Sequence, residues 1–287
     1  MIDFEDGGRP QVAYNILKNN LIQCIKQTNK LRHLKIYNCG GSIETYGKYS
    51  NAFFAAMVPV IQAGILSLES VTLECGGDPV SSSDNPNALF DFLEAMFSLQ
   101  NLKMMTVTST IKSEGRGLFD SLVNVSRSIE EFPSKSLEYV RLVVNACGAT
   151  EEELLPLQLN QILSLLYKNK ALKELVVWLP SSCWNCNNIR ELIRYAQVSS
   201  SSSTLMIGLN GYKDDSGKLF SFIQNVVRGS YDLGMLYLSQ IGCLSDQYNS
   251  IKALGGEVSV DEEKNGETIC TFVYKREEKG DKTIKAE

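Results

Sequence analysis

LRHLKIYNCGG, residues 31–41, and LESVTLECGGD, residues 68–78, share a spacing whose reading decides the fold. Each run opens on leucine, sets aliphatic residues at its fourth and sixth positions, and closes with cysteine and two glycines. Apolar and polar side chains alternate, so each run reads as a short strand with one apolar face and one free face. The glycines then mark a turn.

The spacing recurs along most of the chain. It is carried by Leu31, Leu34 and Ile36; Leu68, Val71 and Leu73; Leu102, Met105 and Val107; and Leu137, Val140 and Leu142. Leu172, Leu175 and Val177 continue it, as do Leu233, Leu236 and Leu238. A degenerate copy keeps Leu205 and Ile207 but has Ser202 in the first position. First positions fall at 31, 68, 102, 137, 172, 202 and 233, with steps of 37, 34, 35, 35, 30 and 31 residues. Repetition at such a period marks a repeat array.

Helical stripes lie between the strands. Leu17, Leu21, Cys24 and Ile25 share one helical face, as do Leu89, Phe92, Leu93 and Phe97. Leu159, Ile162, Leu163 and Leu166 repeat the pattern, followed by Ile189, Leu192, Ile193 and Ala196. Leu219, Phe222, Ile223, Val226 and Val227 form the clearest stripe. Polar loops such as GGSIETYGKYSN and GGDPVSSSDNPN follow the strands, and Pro86 stands near a helix start, where its missing N–H is harmless. One such unit cannot bury its apolar face alone, whereas stacked units can.

Over residues 10 to 245 the pattern resembles the leucine-rich repeat family in its long, ribonuclease-inhibitor-like form. The family's ninth position, Asn or Cys, is matched by Cys39 and Asn145, with Cys75 one residue early. The copies beginning at Leu102, Leu172 and Leu233 depart from it. The resemblance implies an α/β solenoid with a curved parallel sheet inside, helices outside, and a partner protein held on the concave sheet. The competing α/β arrangement is a doubly wound sheet, which expects fully apolar strands and a glycine fingerprint after the first. Here the strands are half polar and the fingerprint is missing.

Residues 1–245 are thus expected to form a solenoid of about seven repeats. In residues 246–275, the runs Val258/Val260 and Ile269/Thr271/Val273 flank Asn265-Gly266, a strong hairpin signal. That hairpin would cap the last strand. Residues 276–287 form a charged tail of mixed sign, expected to be disordered. At the front, only the acidic leader MIDFEDGGRP precedes the first helix. Self-capping, a longer chain and a docked subunit all remain open there.

The chain of 287 residues is 44% hydrophobic and 21% charged, with a net charge of −5. No dense Lys/Arg cluster offers a phosphate footprint, so nucleic acid is not an expected partner. No apolar run approaches the roughly 18 residues of a membrane span, and the acidic start is not a secretory signal. The expected setting is intracellular and cytoplasmic, with the eight cysteines reduced. The sequon Asn124-Val125-Ser126 is then accidental.

On each strand the third, fifth and seventh positions point away from the core. They hold Tyr37, Met104, Tyr139, Arg141, Trp178, Met206, Met235 and Tyr237, the expected partner-binding residues. Aromatic residues, Met and Arg are the types enriched in protein contact surfaces. The same rings could instead lie flat over neighbouring strands and stabilise the sheet.

Chemistry has weaker support. Cys183-Trp184-Asn185-Cys186 is a single CxxC leading into a helix, which suits a redox pair but supplies only half of a zinc site. His33 is the one histidine and has no matched carboxylate, and Glu151-Glu152-Glu153 suits a helix start. No GxSxG, P-loop or HExxH motif occurs. A non-enzymatic recognition module without cofactor or bound metal is therefore the leading expectation, acting as a subunit or recognition part of a larger assembly. An activator of a GTPase, with Arg116 as its reaching residue, and a thiol-redox protein using CWNC are the alternatives.

Overall fold

The computed structural model describes residues 31–38, 68–76, 88–111, 136–146, 169–200, 202–213, 217–264 and 267–276, with single positions at 20, 23, 27, 55, 57–59, 61, 62, 163 and 166. The protein is α/β. Its strands are β1 (His33–Asn38), β2 (Ser70–Gly76), β3 (Met104–Ile111), β4 (Tyr139–Ala146), β5 (Glu174–Trp178), β6 (Thr204–Gly208), β7 (Met235–Leu244), β8 (Glu257–Lys264) and β9 (Glu267–Lys275). They form one sheet in the order β1-β2-β3-β4-β5-β6-β7-β9-β8. β1 to β7 are parallel neighbours in chain order, and the order reverses only at the antiparallel β9 and β8.

The register places equivalent residues of the copies side by side. Leu34, Val71, Met105, Val140, Leu175, Leu205 and Leu236 form one continuous row across seven strands. Every member is at most 5% exposed. The degenerate copy keeps this register, because Leu205 and Ile207 fill the core positions and Ser203 is itself buried at the strand entry. Backbone bonding repeats too. The carbonyls of Arg32, Glu69, Lys103 and Glu138 each accept two N–H bonds from the next strand's entry, at 2.8 to 3.0 Å.

Four helices are described: α1 (Ala88–Phe97), α2 (Cys186–Val198), α3 (Lys218–Val227) and α4 (Ser245–Lys252). Their apolar stripes enter a single core with the inward strand rows, through Phe92 and Leu93 of α1, Ile189 and Leu192 of α2, Phe222 and Ile223 of α3, and Ile251 of α4. Leu163 and Leu166 are helical and buried as well. α2 starts where it does because Asn185 caps it. Its side-chain oxygen accepts the N–H groups of Asn187 and Asn188, each at 2.9 Å, satisfying two donors that a helix start leaves open. Among the described residues no helix is long and apolar enough to cross a membrane.

The hairpin strands expected around Asn265-Gly266 are β8 and β9, and β9 pairs with β7. Two features of this end go beyond the sequence reading. β7 continues past its repeat to Leu244, and α4 intervenes before the hairpin. The tail beyond Arg276, the Asn265-Gly266 turn, Pro86, Arg116, the sequon and the Glu151–Glu153 run lie outside the described residues.

Candidate protein-interaction surface

With the apolar rows committed to the core, the third, fifth and seventh strand positions make up the opposite face of the sheet. None of the described helices contributes its buried residues there. The third positions run His33, Ser70, Met104, Tyr139, Glu174, Thr204 and Met235 in register. Met104 and Tyr139 are therefore direct neighbours, and they stand 40% and 36% exposed. Arg141, two residues along β4, is exposed on the same face and makes no ion pair among the described residues. This apolar pair with an adjoining cation stands open to solvent.

Toward β7 the face closes over itself. Trp178 lies across β6, and an added Cβ on Gly208 would come within 2.3 Å of its indole atoms. Glycine is required there because the ring occupies the space a side chain would take. Beyond it, Trp178 and Tyr237 have ring centroids 6.4 Å apart with planes tilted by 36°, within the range of favourable aromatic pairs. Met206, beside Tyr237, and Met235 are half-buried. Val176 and Val143 sit on this face yet are buried at 4% and 8% exposure. The expected set thus divides. Met104, Tyr139 and Arg141 are open, whereas Trp178, Met206, Met235 and Tyr237 are half-covered and pack over neighbouring strands. Tyr37 has its backbone in register opposite Glu74, and its side chain lies outside the described residues.

One feature of this surface was not read from the sequence. The second position of the first five copies is charged with alternating sign: Arg32, Glu69, Lys103, Glu138 and Lys173. The register brings these into a ladder at the strand entries. Glu69 stands 3.8 Å from Arg32 and 3.0 Å from Lys103, and Lys173 stands 3.0 Å from Glu138. The hydrogen bond from Lys103 holds the Glu69 carboxyl below its ordinary value, and that from Lys173 to Glu138 holds the Lys173 ammonium above its own. All of these side chains are substantially exposed, so each pair contributes little to stability. The alternation was visible once the copies were aligned, one position after each first leucine.

The chemical candidates are placed as follows. Ser181–Cys183 form a short 3₁₀ turn, Cys183 is buried, and Cys186 is the first residue of α2. Trp184 between them is buried and donates its Nε1–H to the Gly208 carbonyl at 3.1 Å. Buried thiols are ordinarily inert, and Cys183 is 1% exposed. Among the described residues no group of three His, Cys, Asp or Glu side chains is placed to hold a metal ion. No family model and no curated protein matches the chain.

Proposed function

We propose that the chain is a leucine-rich-repeat solenoid that recognises another protein on the uncovered face of its parallel sheet. The single observation that carries this reading is the exposed Met104–Tyr139 pair beside Arg141, on a face free of the described helices. Buried apolar or aromatic anchors with a neighbouring Arg are the usual energetic centre of a protein contact. The uninterrupted strand order and the repeated register support the solenoid. The half-covered Trp178, Met206, Met235 and Tyr237 then form a firm shoulder beside that opening. We place the protein in the cytoplasm as a subunit or recognition part of a larger assembly, with its cysteines as thiols.

The test is crosslinking mass spectrometry from native lysate, with wild type, Met104→Ala/Tyr139→Ala/Arg141→Ala, and a control carrying Val198→Ala at the exposed last residue of α2. Loss of a crosslinked partner in the triple variant and its retention in the control supports the reading. A hot-spot loss of about 2 kcal/mol weakens such a complex at least tenfold. The same partners at the same yield from all three proteins overturn it.

A further inference from the structure

Two thiols at the C-terminal end of the sheet face each other inside the core. Cys243 on β7 and Cys270 on β9 have sulfurs 3.7 Å apart, and their residues are 4% and 0% exposed. The local chain path produces this meeting. β7 and β9 shift register between Leu238 and Ile241, and Gln240 takes a φ of 57°, the extra residue of a bulge. In strict alternation after Leu236 and Leu238, the inward position would fall on Gln240. The inserted residue sends Ile241 and Cys243 inward instead, and Cys243 then lies diagonally across from Cys270. The Cys243 S–H also reaches the Thr268 carbonyl at 3.3 Å.

Buried thiols are ordinarily inert, but this pair has a way in. Between α3, α4 and β7 lies a recess lined by Leu219, Phe220, Ile223, Gln247, Ile251 and Cys243. Its cavity volume of about 20 Å³ admits a water-sized molecule and excludes bulky reagents. Cys270 does not line it.

We propose that Cys243 and Cys270 are a peroxide-responsive thiol pair whose disulfide staples the C-terminal hairpin to the last parallel strand. The oxidant is a small hydroperoxide, hydrogen peroxide being the simplest. The Cys243 thiolate attacks one peroxide oxygen, the O–O bond breaks, and hydroxide leaves, giving a sulfenic acid on Cys243. The Cys270 thiol then attacks that sulfur, its proton joins the departing hydroxyl, and the S–S bond forms with release of water. Together with the proton shed by Cys243, the balance is two thiols and one peroxide to one disulfide and two waters. The assignment of roles agrees with the hydrogen bonding, since the Cys270 S–H lowers the Cys243 thiol, while that same bond and burial raise Cys270. The sulfurs must close from 3.7 Å to about 2.05 Å, a movement within reach of side-chain rotation and a small strand adjustment. A second thiol so near captures the sulfenic acid before further oxidation.

The experiment uses the full chain treated with stoichiometric hydrogen peroxide, alkylated after unfolding without reductant, and mapped by mass spectrometry. The expected product is a peptide pair joined through Cys243 and Cys270 and released by dithiothreitol. The thermal midpoint should rise by a few degrees. In Cys270→Ala, Cys243 should stop at the sulfenic acid and take a dimedone adduct once the protein is unfolded in the presence of the reagent; in Cys243→Ala, Cys270 should remain an unmodified thiol. Both thiols still alkylatable in wild type, a sulfinic acid on Cys243 without crosslinking, or crosslinks joining other cysteines in place of this pair each overturn the proposal. The wild-type map decides the matter even where an alanine variant fails to fold.

Discussion

Gly208→Ala is a sharp test of how the exposed sheet face is built. The new Cβ would stand 2.3 Å from Cδ2, Cε2 and Nε1 of Trp178. Ordinary carbon contacts lie near 3.5 Å or more, so the indole must retreat by at least roughly 1.2 Å. That movement loosens its contact with Tyr237, now 6.4 Å between centroids. Overpacking costs about 1–3 kcal/mol, and a half-buried ring that can tilt toward solvent belongs at the lower end, about 1–2 kcal/mol. An opposing effect exists. Gly208 does not have a positive φ, so alanine fits its backbone and restricts the unfolded chain, worth about 0.4–1 kcal/mol in favour of folding. The net expectation is a loss of about 1 kcal/mol in the parent. In a Trp178→Ala background the clash is gone, so the same substitution should stabilise by about 0.5 kcal/mol. Urea unfolding of the four proteins, followed by circular dichroism at unchanged m, measures this cycle. Trp178 fluorescence, taken as the difference from the matching Trp178→Ala protein, should shift to the red in Gly208→Ala. A Gly208→Ala effect of the same sign and size in both backgrounds would refute the placement of the ring.

Three further outcomes follow from the same structure. Leu175→Ala removes a fully buried side chain from the row between Val140 and Leu205, and should cost about 2–5 kcal/mol, read as a fall in urea midpoint. Asn185→Ala removes the cap of α2 and should cost about 1 kcal/mol, with hydrogen-exchange protection lost first at the Asn187 and Asn188 amides. Glu69→Gln should lower the thermal midpoint slightly at neutral pH. Because the folded carboxyl is held below its ordinary value of 4.5, the advantage of wild type is complete above that pH and disappears as pH falls through the folded value. High salt should narrow the same gap, and a gap independent of pH and salt would remove the ladder as its cause.

The strand positions were legible because the cause is simple. A residue such as Val71 or Leu205 has one way to leave water, and period-two alternation allows it only on the inward face. Even the copy that begins with serine keeps its register, since two aliphatic residues in the right phase suffice. The outward face was legible only as a list of residue types. Arg141 and Val176 are neighbours in the same row, yet one is exposed and the other buried. Arg141 keeps its charge in water, whereas Val176 stands between Arg141 and Met206 of the adjoining strands. Residues some 30 positions apart in the chain set that local outcome, and a pattern read along one strand carries none of it. The charge ladder escaped for a related reason: its partners belong to different copies, so within any one copy each member is an ordinary surface charge.

The end of the sheet shows the same dependence on neighbours. β9 runs antiparallel to β7, so it cannot act as another copy of the parallel unit. It fills the edge of β7 and passes the open edge to β8, where Glu257, Asp261 and Glu262 are exposed. A strand edge crowded with negative charge resists pairing with further strands. Asp261 does more than repel, because its carboxylate accepts the Thr271 hydroxyl at 2.7 Å and ties the two hairpin strands together. Arg276, just past β9, pairs with Asp232 and donates its backbone N–H to Gly234 at 2.8 Å, anchoring the far end of β9 at the entry to β7. The hairpin is held at the Arg276 end by charge and backbone bonding, and along its middle by the packing that includes Cys270 and Phe272. A stop of this kind needs only a change of strand direction and a charged edge, both of which the sequence after Leu244 supplies.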